Sequence, residues 1–264
     1  MNRKGVSVLV STYNWPEALE LCLRSLFLQS VAPNEIVVAD DGSTNNTKEI
    51  IKILQKESSI PIKHIWQEDQ GFRLSLIRNK ALKQSSYEYI IQIDGDIICH
   101  PNFIEDHLLY QKEGYFISGR RCRINKEDSY RTLQNQKLYL SSQSLKQTKL
   151  PYKKRILLLL MLCRIGFINS IINKGLRGCN LAYWRKDAFA INGYNTAIEG
   201  WGKEDDEFIL RMQRNGIHKK SLKFGGIAYH IDHKMNDLSN LKKNEEILMK
   251  IKDSEIIVTD KGLE

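Results

Sequence analysis

Two aspartates separated by a single glycine, Asp94-Gly95-Asp96, follow the apolar run Tyr89-Ile90-Ile91-Gln92-Ile93. The run is β-branched and too short for a helix, so it reads as a buried strand ending in two carboxylates. Adjacent carboxylates repel unless a cation neutralises them, and a hard divalent ion with oxygen ligands suits such a pair. The plain alternative is a turn ahead of Pro101, since Asp and Gly are common turn residues. Further acids are concentrated in Asp40-Asp41 and in Glu204-Asp205-Asp206-Glu207. The second cluster would suit a solvated helix start, where the macrodipole favours negative charge. Gly200-Trp201-Gly202 precedes it, a flexible aromatic segment. Ala228-Tyr229-His230-Ile231-Asp232-His233 brings two histidines to the end of a strand-like segment.

The elements that position these groups alternate. Val6 to Val10 predicts a strand, followed by the polar loop Ser11-Thr12-Tyr13-Asn14 and a helix opened by Pro16 with Leu19, Cys22, Leu23, Leu26 and Phe27 on one face. Ile36 to Ala39 predicts a second strand, Asn46 to Lys56 a helix, Ile62 to Trp66 a third strand and Leu74 to Leu82 a third helix. Alternating strands and helices imply β-α-β units, hence an α/β fold with a Rossmann-like, mainly parallel sheet flanked by helices. Ligands of such sheets collect at the carboxyl ends of the strands. Thr12 and Tyr13, Asp40 and Asp41, the Gln70–Arg73 loop, and Asp94 with Asp96 should therefore share one rim. Neither the glycine-rich dinucleotide fingerprint nor a P-loop is present.

The segments Val6–Asn14, Ile36–Ser43, Arg78-Asn79-Lys80-Ala81 and Asp94-Gly95-Asp96 resemble, in order and spacing, the family 2 glycosyltransferases. Gly178–Tyr183 and Gly200–Glu207 resemble the carboxyl-terminal motif of galactosyltransferase-like enzymes, and together the matches cover about Val6–His107 and Gly178–His233. The resemblance implies a GT-A fold, a nucleotide-sugar donor, a divalent metal (manganese or magnesium) and inversion at the anomeric carbon. It implies that Thr12, Asp41 and Arg78 hold base and ribose, with Tyr13, Asn14 and Asp40 beside them. It further implies Asp96 on the metal and Asp94 on ribose or metal. Asp205 becomes the general base, Glu204 binds a substrate hydroxyl and Trp201 lines the pocket. His230 is the preferred histidine ligand to the metal, with His233 the runner-up.

The net charge of +9 favours anionic partners without choosing among nucleotide, lipid headgroup and nucleic acid. Five scattered cysteines, none in a Cys-x-x-Cys pair, indicate neither a disulfide framework nor a zinc site. A cytoplasmic chain is expected, since the start runs into a strand without an apolar signal region. Arg120, Arg121 and Arg123 cluster near the expected donor phosphates, and Tyr130 to Lys149 is helix-compatible. Lys153-Lys154-Arg155 then leads into an apolar run from Ile156 to Ile172, interrupted by Arg164. That pattern suits a helix lying at the inner membrane face, or equally a helix packed on its own domain.

The expected division is a nucleotide-sugar-binding half (1–119), a helical insert (120–176), an acceptor-binding and catalytic half (177–235), and a carboxyl-terminal helix and tail (236–264). The function expected is inverting transfer from a nucleotide sugar, UDP-linked by preference, to a glycan or lipid-linked oligosaccharide in surface polysaccharide synthesis. No nucleic-acid partner is expected, because carboxylates on the rim would repel its phosphates. A sugar-nucleotidyltransferase and a non-catalytic anion- or membrane-binding module are the alternatives. The first lacks its glycine-rich basic loop here, and the second leaves the strand-end acids unexplained.

Overall fold

Strand β1 (Arg3–Thr12) pairs in parallel with β2 (Glu35–Asp40) on one side and β4 (Tyr87–Asp94) on the other. The computed structural model describes residues 3–141, 143–144, 178–222, 225–234 and 237–263. β3 (Ile62–Trp66) extends the sheet beyond β2, and three more strands lie beyond β4. These are β8 (Leu181–Trp184), β6 (Tyr115–Ser118) and β9 (His218–Ser221), giving the order β3-β2-β1-β4-β8-β6-β9. β8 runs antiparallel to both neighbours, while every other pairing in this sheet is parallel.

Alternation along the strands divides the core. Val6, Val8, Val10, Ile36, Val38, Ile91 and Ile93 face α1 (Pro16–Phe27) and α2 (Asn45–Glu57), whose Leu19, Cys22, Leu23, Leu26, Ile51 and Leu54 complete that layer. Leu9, Val37, Ala39 and Ile90 face the other way, onto α3 (Leu74–Gln84), α6 (Arg185–Ala190) and α7 (Glu204–Arg214). Pro16 starts α1 where its missing N–H is harmless, Glu17 lies in the first turn and Arg24 in the last, consistent with the dipole.

The chain runs from β1 outward to β3 and returns to β4 on the opposite side of β1. The strand order therefore reverses between β1 and β4, opening a crevice at their carboxyl ends, where Ser11 is in register with Asp94. Because β8 is antiparallel to β4, the 3₁₀ turn Gly178–Asn180 ahead of it also reaches this rim.

A second sheet, β5 (Ile97–Cys99), β10 (Ala228–His230) and β7 (Arg121–Arg123), completes the rim. Its pairing of His230 with Ile97 sets that histidine one residue from Asp96. Strand β7 thus lies within the segment expected to be a helical insert, yet pairs with a strand of the carboxyl-terminal half. The helical part that is described, α5 (Lys126–Asn135), starts at Asn125, whose side chain accepts from the Asp128 N–H, and stops at the left-handed Gln136. The basic and apolar stretch 153–172 lies outside the described residues. Among the described residues no helix is long and apolar enough to cross a membrane.

α4 (Phe103–Tyr110) packs on the first core layer, and α8 (Leu241–Lys252) against α7. The tail beyond α8, featureless as sequence, is built in. Leu263 N–H donates to the Asn192 carbonyl, Thr196 N–H to that of Lys261, and the Arg214 guanidinium to those of Ile251, Lys252 and Ile256.

Candidate active site

The β1 and β2 loops lock together. Asn14, at the left-handed φ of 45°, donates its N–H to Ser43 Oγ and accepts from Thr44 N–H on Oδ1, both at 2.8 Å. Asp41 N–H donates to the Thr12 carbonyl. Its buried carboxylate accepts from Gln67 Nε2 and from Arg73 N–H at 2.8 Å. Burial nonetheless raises the Asp41 pKa, against those bonds. Gly42 must be glycine, since φ is 95° and a Cβ would strike the Asp69 backbone. Tyr13 stands on the rim, its hydroxyl 2.9 Å from Asp69 Oδ2. Asp40 sits differently from its neighbours. It is 0% exposed, accepts from Ser43 N–H and contacts His64 Nε2, both at 2.8 Å, so it shapes the loop from behind rather than lining the crevice.

Arg78 is the keystone, 1% exposed on α3. Nε donates to Ser11 Oγ at 3.1 Å, Nη2 to Asp94 Oδ1 at 3.1 Å and Nη1 to Asp205 Oδ1 at 3.0 Å. Burial disfavours its charge, but Asp205, Tyr194 and Asp94 outweigh burial and raise its pKa. A planar fork serving carboxylates from two distant segments is a task lysine could not perform. Expected to touch base and ribose, Arg78 also joins Asp94 at the end of β4 to Asp205 at the start of α7.

Asp96, His230 and His233 bring one ligand atom each to within 4.8 Å of one another. Their pairwise distances to Asp96 Oδ2 are 3.3 Å from His230 Nε2 and 3.4 Å from His233 Nε2. Among the described residues the buried Asp96 Oδ1 has no hydrogen-bond partner. Burial, then the charge of Asp94, pushes the Asp96 pKa up to about 8. An orphaned carboxylate oxygen beside two imidazoles is a donor set that fits a transition-metal dication such as manganese, with open positions for oxygens, better than magnesium, which prefers oxygen ligands throughout. Both histidines reach Asp96, so the sequence-based choice between them becomes a pair.

Across the crevice α7 begins after Lys203, itself left-handed at φ 78°. Asp205 is 18% exposed, and Oδ2 accepts the Gly178 N–H at 2.7 Å. A Cβ on Gly178 would overlap that carboxylate. Glu204 is more buried, its Oε2 has no partner among the described residues, and burial followed by Asp205 raises its pKa to about 7. Trp201 is 41% exposed on a loop held at both ends. Gly200 N–H donates to the Phe72 carbonyl, and Asn244 of α8 donates to the carbonyls of Glu199 and Gly202.

Residues 7–171 match the profile described as glycosyl transferase family 2. The chain belongs to that family. Residues 170–234 match the N-terminal domain of galactosyltransferase. This family 2 chain is 28% identical over 244 residues to a chondroitin synthase of Escherichia coli, which covers 86% of the chain and 34% of that protein. It is 28% identical over 239 residues to a hyaluronan synthase of Pasteurella multocida, covering 86% and 24%. The chain thus spans about a third or less of these relatives. Among solved structures, S. aureus TarS 1-349 in complex with UDP-GlcNAc superposes with a TM-score of 0.65 at 19% identity, covering 98% of this chain and 68% of that one. A mannosyltransferase of Pyrobaculum calidifontis in complex with GDP-Man and Mn2+ gives 0.59 at 17%, covering 89% and 59%. The fold is GT-A.

Within the family 2 fold, one supporting group escaped sequence reasoning. Gln92 is fully buried, accepts from the hydroxyls of Tyr183 and Tyr194 on Oε1, and donates to the Gly178 carbonyl at 3.2 Å. It therefore braces the turn whose N–H holds Asp205. The signal was visible as the single amide in the otherwise apolar run Tyr89–Ile93.

Proposed function

We propose that this family 2 chain is an inverting, metal-dependent glycosyltransferase that moves a sugar from a UDP-sugar to a hydroxyl of a glycan or lipid-linked oligosaccharide. One observation carries the reading: a single buried guanidinium, that of Arg78, holds both Asp94 beside the candidate metal cluster and Asp205 at the head of α7. The donor-side and acceptor-side carboxylates therefore open onto one crevice. The UDP and UDP-GlcNAc complexes of TarS support the choice of nucleotide.

In this mechanism Thr12, Asp41, Tyr13 and Asn14 hold base and ribose, with Asp40 setting their loop and Asp94 turned to the ribose. Asp96, His230 and His233 would hold the metal, which when bound neutralises the charge that the leaving diphosphate gains. Asp205 accepts the acceptor hydroxyl's proton as that oxygen bonds the anomeric carbon and the carbon–oxygen bond to diphosphate breaks, so attack from the opposite face inverts the centre. Glu204 positions a substrate hydroxyl, and Trp201 stacks on a sugar. Residues 1–119 serve the donor and 177–235 the acceptor. The basic and apolar stretch 153–172 would bring the chain to the inner membrane face, where lipid-linked acceptors lie.

The test is a panel of nucleotide sugars with manganese and candidate acceptors, following nucleoside diphosphate release and the anomeric configuration of the product. Chelation should abolish release, and a product of retained configuration would overturn inversion. Pyrophosphate release from a nucleoside triphosphate and a sugar phosphate would instead identify a nucleotidyltransferase. Nucleotide-independent binding to anionic vesicles without turnover would identify a binding module.

A further inference from the structure

Among the described residues Arg121 Nε is buried without a hydrogen-bond partner, although a guanidinium keeps its charge and five donors under all ordinary conditions. A long contact joins its Nη1 to Cys179 Sγ at 3.9 Å, and a thiol sulfur is a weak acceptor. The register of the small sheet explains its aim. β7 and β10 pair Arg121 with Ala228 and Arg123 with His230, and alternate residues of a strand share a face. Arg121 thus stands on the His230 face, half-buried where Arg123 is exposed. Its charge acts on both Asp94 and Asp96, opposing the burial that raises their pKa values.

Among the described residues the rim therefore holds two orphans of opposite sign, the Arg121 Nε donor and the Asp96 Oδ1 acceptor, which do not bond each other. A ligand that satisfies both must offer anionic oxygens to the first and a cation to the second. A diphosphate carrying a divalent ion has that composition, whereas a neutral sugar, a lone carboxylate or a bare metal does not. We propose that Arg121 grips the donor diphosphate and stays on it as leaving group. This rests on the glycosyl-transfer reading. As the bond between anomeric carbon and diphosphate oxygen breaks, the electron pair goes to that oxygen. Arg121 gives up no proton and stabilises the charge through its N–H groups.

The experiment is calorimetric titration of UDP and of UMP, each with Mn2+, into the wild-type chain, R121M and R121K. GDP and GMP are titrated in parallel. R121M should weaken the diphosphate by about 10- to 100-fold, the value of a charge-assisted pair, and the monophosphate by about 3-fold or less. R121K should lose about 3- to 10-fold on the diphosphate alone, since an ammonium keeps the charge without the fork. An Arg121 that serves only to neutralise Asp94 and Asp96 would move both nucleotides equally, and that result overturns the inference. So does diphosphate binding unchanged in either variant, and R121K decides if R121M fails to fold. A wild-type chain that binds none of these nucleotides overturns the glycosyl-transfer reading itself, and this inference with it.

Discussion

Replacing Arg78 by methionine removes the cation that joins the two halves of the crevice. Two charge-assisted hydrogen bonds, to Asp94 and Asp205, are lost at about 1.5–3 kcal/mol each. Breaking a buried pair from one side costs about 3–5 kcal/mol, because the remaining charges stay enclosed. Asp94 has 34% and Asp205 18% of its side chain open, so water recovers part of that cost. The expected net loss is about 3 kcal/mol, or a fall in melting temperature of about 6–12 °C for a chain of this size. Arg78→Lys can satisfy one carboxylate at a time and should lose about half as much. Urea unfolding of R78M, D205N and R78M/D205N tests the origin of the loss. With Asp205 neutralised, removal of Arg78 should cost at least about 1 kcal/mol less than in the wild type, since residues in one ion-pair network couple by that much. Additive costs, or an R78M loss below about 1 kcal/mol, would refute the bridging role.

Other consequences are as concrete. Asp205→Asn keeps an oxygen for the Gly178 N–H but loses the acceptor that faces Arg78, so it should stay folded with a stability loss of about 1–3 kcal/mol while transfer falls by about 10²- to 10⁴-fold; retained turnover would remove Asp205 as the base. His230→Ala and His233→Ala should each weaken Mn2+ binding at least about ten-fold by titration, and a variant with unaltered affinity is not a ligand. Glu204 is protonated in the folded chain up to about pH 7 but ionised in the unfolded chain above about 4.5. Its contribution to stability therefore declines as pH rises from about 4.5 to about 7 and then levels off. Relative to wild type, Glu204→Gln should gain up to about 3 kcal/mol between pH 4.5 and pH 8 in denaturant titrations, and an unchanged difference across that range would mean that Glu204 ionises normally.

Local chemistry made much of this legible from sequence. The β-branched runs at Val6, Ile36 and Ile90, the Pro16 helix start and the apolar face of α1 follow from steric and burial rules that act within a few residues. Hence the alternating half of the fold and the strand-end acids were foreseeable. The carboxyl-terminal half resisted, because β8 inserts antiparallel beside β4 and β7 pairs with a strand more than a hundred residues later; neither choice leaves a local mark.

By itself the sequence determined which groups could do chemistry: Asp94 and Asp96 after a buried strand, Glu204 and Asp205 after a glycine-rich aromatic loop, and paired histidines at positions 230 and 233. Tertiary structure alone decided their use. It made Arg78 a bridge between Asp94 and Asp205, put Asp40 behind its loop, drew both histidines to Asp96 and, among the described residues, left Arg121 Nε without an acceptor. Types and spacing fix what a side chain can donate or accept, but which partner it meets depends on how separate strands come into register, and that is settled only when the whole core packs.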